Sequence, residues 1–225
     1  MKTNLLLFLL ISPILCLAQE NSWGIGILRV HPDCTTEINV YNAPHGKVTG
    51  TLTRESGDQY PRRIEWLDEM GPRMYIPDNA LLEVEYEINA IIVFEAKDGF
   101  LRIMFSEGEF TSWVSEEDLK GPEFSYWPWM KFMLDSGNSF FTSGYGMNVR
   151  EAPTVKASRI LTVKGDQFDI SPTGKHEGLW AEVIIKEYDS VYCEEPHNLV
   201  KTYKGWMKIL DDKGFPNVWF YTRGC

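Results

Sequence analysis

Beyond residue 17 the sequence lacks any hydrophobic run of the length that a membrane-spanning helix needs, about 20 residues. The only long apolar stretch, Leu5–Leu17, stands at the beginning of the chain and is too short to cross a bilayer. We therefore expect the mature chain to have no integral membrane segment.

The first 18 residues are typical of a secretory signal. Lys2 supplies a short positive region before Leu5–Leu17, and cleavage after Ala18 would place Cys16 and Ala18 where the peptidase accepts small side chains. The alternative is a lipoprotein signal with Cys16 lipidated, but that chemistry requires a small residue before the cysteine, and Leu15 is large. We expect export to the periplasm or the cell surface.

Basic stretches are also absent. Lys and Arg number 22 against 32 Asp and Glu, for a formal charge of −10, and loss of Lys2 with the signal makes the chain more negative. Such a surface repels phosphate backbones and anionic lipids, so no nucleic acid is expected as a partner.

Cysteine is scarce, and only Cys34, Cys193 and Cys225 follow the signal. In an oxidising compartment three cysteines predict one disulfide and one remaining thiol. We predict the pair Cys193–Cys225, because both lie in the last part of one predicted domain. A metal site could combine His31, Cys34, Cys193 and His197, but the chain has no CxxC pair, and we expect neither metal nor cofactor.

No pattern in the sequence predicts a catalytic residue. His31 and Cys34 are the only imidazole and thiol close in sequence, but Pro32 and the strand-like EINVY replace the helix start that activates a catalytic cysteine. The acidic clusters Glu116–Asp118 and Glu194-Glu195 lack the spacing of a calcium loop and are interpreted as solvated. The chain is therefore predicted not to be an enzyme.

What the sequence does contain is a repeat. INVYNAP at Ile38–Pro44 and MNVREAP at Met147–Pro153 each combine an alternating strand with a corner that ends in proline. Each is followed by a strand pair with a Gly-containing turn, and then by a short strand carrying Trp113 or Trp206. The pattern predicts an all-β fold of two small β-barrels, with Trp180 and Trp206 in the barrel core.

The two copies differ in their insertions and are joined by an aromatic segment. We predict an N-terminal segment at 19–36, a first barrel at 37–121 with an insertion at 53–79, a bridge at 122–144 and a second barrel at 145–225. The last of these ends in a hairpin that turns at Asp212-Lys213-Gly214. The bridge is too aromatic for a flexible linker, so it is predicted to pack the two barrels together.

The second copy resembles the bacterial SH3-like (SH3b) domain family over about Tyr145 to Leu210. Its opening strand MNVREAP matches the family pattern of hydrophobic-Asn-Val-Arg-x-x-Pro, followed by the turn glycine Gly165, the middle-strand Trp180, and Gly205-Trp206 in the closing strand. The first copy is similar at Asn39, Val40 and Pro44, but has Tyr41 in place of the arginine and Ser112 in place of the glycine. The resemblance implies two SH3-like β-barrels and a binding module of the cell envelope.

Aromatic side chains are the best candidates for ligand contact, since Trp and Tyr offer flat apolar faces with a polar edge. The predicted ligand-binding residues lie near the repeat openings and the bridge: Tyr41, Tyr126, Trp127, Trp129, Tyr145 and Arg150. For Trp127 and Trp129 the alternative is a place in the core between the barrels.

Peptidoglycan or an envelope protein is the expected partner. A cell-wall hydrolase and a structural subunit of an envelope assembly are the alternatives. The chain leaves little room for a separate catalytic domain, which disfavours the hydrolase.

Overall fold

The computed structural model describes residues 24–30, 37–53, 63–66, 74–75, 80–85, 88–105, 110–120, 124–191, 194 and 196–220. The predicted signal, His31, and the cysteines 16, 34, 193 and 225 lie outside these residues. The predicted disulfide and the lipoprotein alternative therefore remain predictions.

The fold is all-β, as predicted, with a single short helix among the described residues. The described residues of the first part of the chain form ten strands: β1 (Gly26–Val30), β2 (Ile38–Tyr41), β3 (Val48–Thr53), β4 (Arg63–Trp66), β5 (Met74–Tyr75), β6 (Leu81–Glu85), β7 (Ile88–Lys97), β8 (Phe100–Phe105), β9 (Phe110–Ser115) and β10 (Phe124–Pro128). After α1 (Trp129–Asp135), the second part forms four: β11 (Phe140–Arg150), β12 (Arg159–Glu177), β13 (Trp180–Tyr188) and β14 (Leu199–Lys208).

The two parts differ in how their strands pair. Strands β11 to β14 form a closed barrel in the order β11-β12-β13-β14. The first ten strands form one sheet in the order β10-β1-β7-β8-β9-β2-β3-β4-β5, with β6 paired to β7. The predicted N-terminal segment thus supplies β1, the bridge supplies β10, and the insertion supplies β4 and β5.

The sequence repeat is a repeat of hydrogen-bond register. In each half the four residues around the Asn-Val motif pair with the next strand, and a bulge precedes the last of these four pairs. The pairs are Ile38↔Leu52, Asn39↔Thr51, Val40↔Gly50 and Tyr41↔Val48 in the first half, and Met147↔Val163, Asn148↔Thr162, Val149↔Leu161 and Arg150↔Arg159 in the second.

The closing strand repeats as well. Tyr41 pairs with Trp113 on β9, and at the corresponding place Arg150 pairs with Trp206 on β14. In both halves the strand with the Asn-Val motif therefore pairs with the strand that carries the tryptophan, at corresponding residues. Among the described residues, only the second half closes into a barrel.

The barrel interior is not lined by the residues we predicted. Trp180 and Trp206 are only partly buried, while Ala181, Val183 and Met207 are inaccessible to solvent. Because side chains alternate along a strand, burying Ala181 and Val183 turns Trp180 to the outer face. Cross-strand partners share a face, so Trp206, which pairs with Glu182, is on the outer face as well.

The bridge contributes a helix to the core between the barrel and the first sheet. Its helix α1 begins after Pro128 and ends at Ser136-Gly137, where the positive φ of Gly137 (72°) stops the helix. The helix buries Trp129, Phe132 and Met133 on one face. These join a core cluster that contains barrel residues such as Val149 together with Ile27 from the first sheet.

The chain end folds back on the bridge. A turn is closed by hydrogen bonds between Asp211 and residues 214 and 215, at the predicted position, and Gly214 has a positive φ of 85°. Beyond it Trp219 pairs with Phe141, each backbone N–H donating to the other's carbonyl at 3.1 and 2.7 Å. Across the described segments no helix has the length and apolar character that crossing a membrane requires.

Candidate functional site

A cavity of about 160 Å³ lies where the end of the bridge meets the barrel and the folded-back tail. Three phenylalanine side chains form its apolar lining: Phe140 and Phe141 at the start of β11, and Phe220 in the tail. Phe140 and Phe220 are 1% and 5% exposed, and their rings meet edge to face with 5.8 Å between centroids. The lining is therefore held by core packing.

The polar residues that line the cavity are Asp166 and Asp169 of β12 together with Asn138 and Ser139. Asp169 accepts a hydrogen bond from the hydroxyl of Tyr188 at 3.2 Å. Burial, together with the Asp169 carboxylate, raises the pKa of Tyr188. The phenol therefore stays protonated and keeps donating to Asp169.

An irregularity in the β11–β12 ladder opens this cavity. Phe140 pairs with Ile170 and Thr142 pairs with Gly165, so Phe141 alone lies opposite the four residues Asp166–Asp169. A bulge of this kind bends the longer strand away from its partner. Phe141 pairs with Trp219 of the tail instead, and Asp166 and Asp169 are among the residues that line the cavity.

The six residues predicted to bind a ligand do not form one site. Tyr41 and Arg150 occupy equivalent register positions in the two halves, and Tyr126, Trp127 and Trp129 lie on the bridge. Strand β10, which carries Tyr126, is five strands from β2 in the sheet. Of the six, only Tyr145 is fully open to solvent, at 88% exposure.

Tyr41 and Arg150 both brace their own corners. The Tyr41 hydroxyl donates to Asp118 at 3.1 Å, and its ring contacts Phe100 edge to face at 5.2 Å. The Arg150 guanidinium donates to the carbonyl of Ala157 at 2.7 Å, across the loop that follows β11. These contacts give Tyr41 and Arg150 a structural role within their own halves.

Trp127 and Trp129 have different environments, although they are two residues apart. Trp129 is 1% exposed, so its ring has no face open to a ligand and it belongs to the core between the two sheets. Trp127 is partly exposed, with the side chains of Arg29 and Lys131 over its ring at 5.1 and 4.6 Å. Its indole N–H donates to Ser125 at 2.9 Å.

Tyr126 packs against the core of the first sheet, and burial raises its pKa to about 12, with a further contribution from the Glu116 carboxylate. Because the folded chain holds this proton more tightly than the unfolded chain does, the protonated tyrosine contributes its full stabilisation at pH values below 10. We therefore expect the free energy of unfolding to fall as pH rises from about 10 to about 12.

Tyr126→Phe should remove this dependence and also remove an absorbance step near pH 12 in a spectrophotometric titration of tyrosine. Tyr145→Phe, at the exposed position, is the control and should leave the step in place. If Tyr126→Phe leaves the step unchanged, Tyr126 is not the group that ionises there.

Sequence reasoning did not anticipate the contact between Ser190 and His197 in the loop between β13 and β14. The Ser190 hydroxyl lies 3.0 Å from His197 Nδ1, and the ring of His197 stacks on Tyr188 with centroids 4.0 Å apart. The hydroxyl also donates to the carbonyl of Pro196 at 2.9 Å. Together these contacts brace the loop.

In the described residues, no group of three or more His, Cys, Asp and Glu side chains is arranged to hold a metal ion. Neither models of known protein families nor curated proteins match this chain.

Proposed function

We propose that this chain is an exported binding protein of the bacterial envelope, built from two SH3b-like units, that recognises peptidoglycan and has no catalytic role. The repeated register is the observation that supports this most strongly. Pairing through Asn148, Val149 and Arg150, closed by Trp206, uses the residues that carry the resemblance to SH3b domains. The same pairing at Asn39, Val40 and Tyr41 supports a second, remodelled unit.

The arrangement of the bridge also favours binding. A buried helix and the folded-back tail hold the cavity side chains on packed elements, and ligand sites are commonly concave, apolar and largely pre-formed. The exposed Tyr145 lies in the middle of β11, the strand whose first residues, Phe140 and Phe141, line the cavity.

The test is sedimentation of the purified chain, residues 19–225, with insoluble peptidoglycan sacculi. We expect the protein to sediment with the sacculi, and Tyr145→Ala to reduce the bound fraction at least threefold, because an aromatic face open to solvent is lost. Val155→Ala, which removes apolar surface at a position 67% exposed, is the matched control and should bind normally.

Two results would contradict the proposal. A chain that stays in the supernatant does not bind the wall, and an envelope protein or a structural assembly then becomes the partner to seek. Soluble glycan or peptide fragments released from the sacculi would instead favour the hydrolase.

A further inference from the structure

Strand β14 has a strand on both sides along only part of its length. It pairs with β13 between Leu199 and Lys208, but with β11 only at Trp206 and Met207. Among the described residues, the segment Leu199–Lys204 has no strand on its other side, and we call this segment the open edge. We propose that it pairs antiparallel with the open edge of a second copy of this chain. Such a dimer would form whether or not the chain binds peptidoglycan.

The open edge is accessible to a second strand. All its side chains except that of Tyr203 are exposed, and Leu199 and Val200 are 54% and 60% exposed. An edge strand directs alternate backbone N–H and C=O groups away from its sheet, and a second strand can pair with them. Covering the two aliphatic side chains at the same time removes apolar surface from water. The open edge thus offers both backbone and apolar contacts.

Two-fold symmetry limits the registers that two copies can adopt. Because cross-strand partners share a face of the sheet, the axis must pass through a pair formed by the same residue of both copies. With the axis at Thr202, Lys201 lies opposite Tyr203 of the other copy. Val200 then lies opposite Lys204. No lysine faces a lysine in this register, and threonine pairs and cation–aromatic pairs are favourable across strands.

The neighbouring registers are unfavourable. An axis at Lys201 would place two ammonium groups directly opposite each other, which is destabilising. An axis at Tyr203 would bring the second strand alongside Gly205, where the carbonyl of Arg150 already lies. The open edge is therefore complementary to itself when it is centred on Thr202.

The Tyr203 ring already accepts a cation within the chain. The ammonium group of Lys201 lies 4.7 Å from the centroid of this ring, and the Tyr203 hydroxyl donates to Glu187 at 2.8 Å. Glu187 is also the cross-strand partner of Lys201. Each copy therefore brings one ammonium group and one carboxylate to this part of the contact, so two copies meet there without excess charge.

The distribution of charge along the chain favours contact through the barrel half. Residues 145–225 contain equal numbers of basic and acidic side chains, so the net negative charge of residues 19–225 lies entirely in residues 19–144. Two copies that meet through β14 join the halves that do not repel each other. Added salt should therefore leave the dimer intact or strengthen it, whereas an interface between an acidic half and a basic segment would weaken.

Sedimentation velocity of the purified chain, residues 19–225, tests the pairing without any variant. We expect monomer at low micromolar concentration and a growing fraction of dimer at high micromolar concentration, because one strand pair is a small interface. Raising the concentration of NaCl should not dissociate the dimer. Non-reducing gel electrophoresis of the same samples should show no covalent dimer, which separates strand pairing from a disulfide between copies.

Charge variants locate the contact. Thr202→Lys places two like charges opposite each other on the axis and should weaken dimerisation at least tenfold. Thr202→Val keeps a β-branched side chain without charge and should dimerise within threefold of the parent chain. Val155→Lys adds the same charge at a position 67% exposed outside β14, and we expect dimerisation within twofold of the parent. Each variant is first compared with the parent by thermal unfolding.

Cysteine variants check the register. Thr202→Cys places two thiols in a directly opposed pair, so mild oxidation should give a covalent dimer in high yield. Lys201→Cys faces Tyr203 of the other copy and should give far less. The parent chain, oxidised in parallel, measures the background from its own cysteines.

Four results would overturn this inference, whether or not sacculi are bound. They are a monomer at every concentration, a dimer that high salt dissociates, full dimerisation by folded Thr202→Lys, and equal cross-linking of the two cysteine variants. With a monomer at every concentration, an extended segment of another protein becomes the occupant to seek for the open edge. Dimerisation with the expected loss in Thr202→Lys, in a chain that does not sediment with sacculi, would support the dimer and contradict peptidoglycan binding.

Discussion

Replacing Trp129 with alanine is expected to lower the free energy of unfolding by about 3–5 kcal/mol, the cost that large aromatic-to-alanine changes have in protein cores. The ring is 1% exposed and lies in the cluster that joins the barrel to the first sheet. It meets Phe132 and Trp219 edge to face, with centroids 6.0 and 5.7 Å apart. Truncation would leave a cavity among side chains held by three separate parts of the chain, so little of it can collapse.

A hydrogen bond adds to the loss. The indole N–H of Trp129 donates to the carbonyl of Gly24 at 3.1 Å, so this side chain ties the bridge to the residues just before β1. A net contribution of about 1 kcal/mol is ordinary for such a bond.

Urea denaturation followed by circular dichroism measures the effect. Trp127→Ala is the matched control, since it removes the same ring two residues away at a partly exposed position, and we expect a loss of less than about 2 kcal/mol. Equal losses for the two variants, or a loss below 1 kcal/mol for Trp129→Ala, would contradict a shared core at the bridge.

Replacing Gly205 with alanine is the second substitution expected to have a large effect, a loss of about 1–3 kcal/mol from overpacking. A methyl group there would lie 2.7 Å from the carbonyl oxygen of Arg150, and equally close to Val149 and Ile160 side-chain carbons. The backbone oxygen cannot rotate away, so β14 must move from β11 at the place where the barrel closes.

Gly146 offers a matched control on β11 of the same barrel. A methyl group there would lie 2.8 Å from the Thr162 side chain, and the nearest backbone atom is the Val163 oxygen at 3.7 Å. Because a side chain can adjust and alanine restricts the unfolded chain, we expect Gly146→Ala to change stability by less than about 1 kcal/mol. If both variants unfold at the same urea concentration, close strand contact at Gly205 is not what requires glycine there.

In the first half of the chain, the position that corresponds to Gly205 does not require glycine. Ser112 stands at the register position that corresponds to Gly205, and its side chain is buried, at 3% exposure. The first sheet is not closed into a barrel among the described strands, so β2 and β9 leave room for a hydroxymethyl group. The departure from the SH3b pattern at Ser112 thus accompanies a departure in how the strands close.

Several features followed from local sequence. Short alternating strands, proline-ended corners and glycine turns depend on residues within a few positions of one another, and the repeat therefore predicted that the two halves share a strand pattern. The helix α1 was missed because it has seven residues, too few to be stable alone, and is held by burial of Trp129, Phe132 and Met133. The spacing of those three residues was the available signal.

Trp180 and Trp206 were misplaced for a different reason. Alternation groups Trp180 with Glu182 and Ile184, and separates them from Ala181, Val183 and Ile185, but it does not say which set faces inward. We placed the two tryptophans in the core, whereas the structure buries the set that has no charged member. Burying Glu182 would have required a partner for its charge in the barrel interior.

By itself, then, the sequence determined the all-β class, the doubled strand motif and the positions of the turns, because each depends on side-chain alternation and on backbone conformations set by neighbouring residues. Only the tertiary structure decided which face of each strand is buried, that one half closes while the other spreads into a ten-stranded sheet, and that Asp166, Asp169 and Phe220 share a cavity. Those outcomes depend on contacts between residues far apart in the chain, whose free energy no local pattern contains.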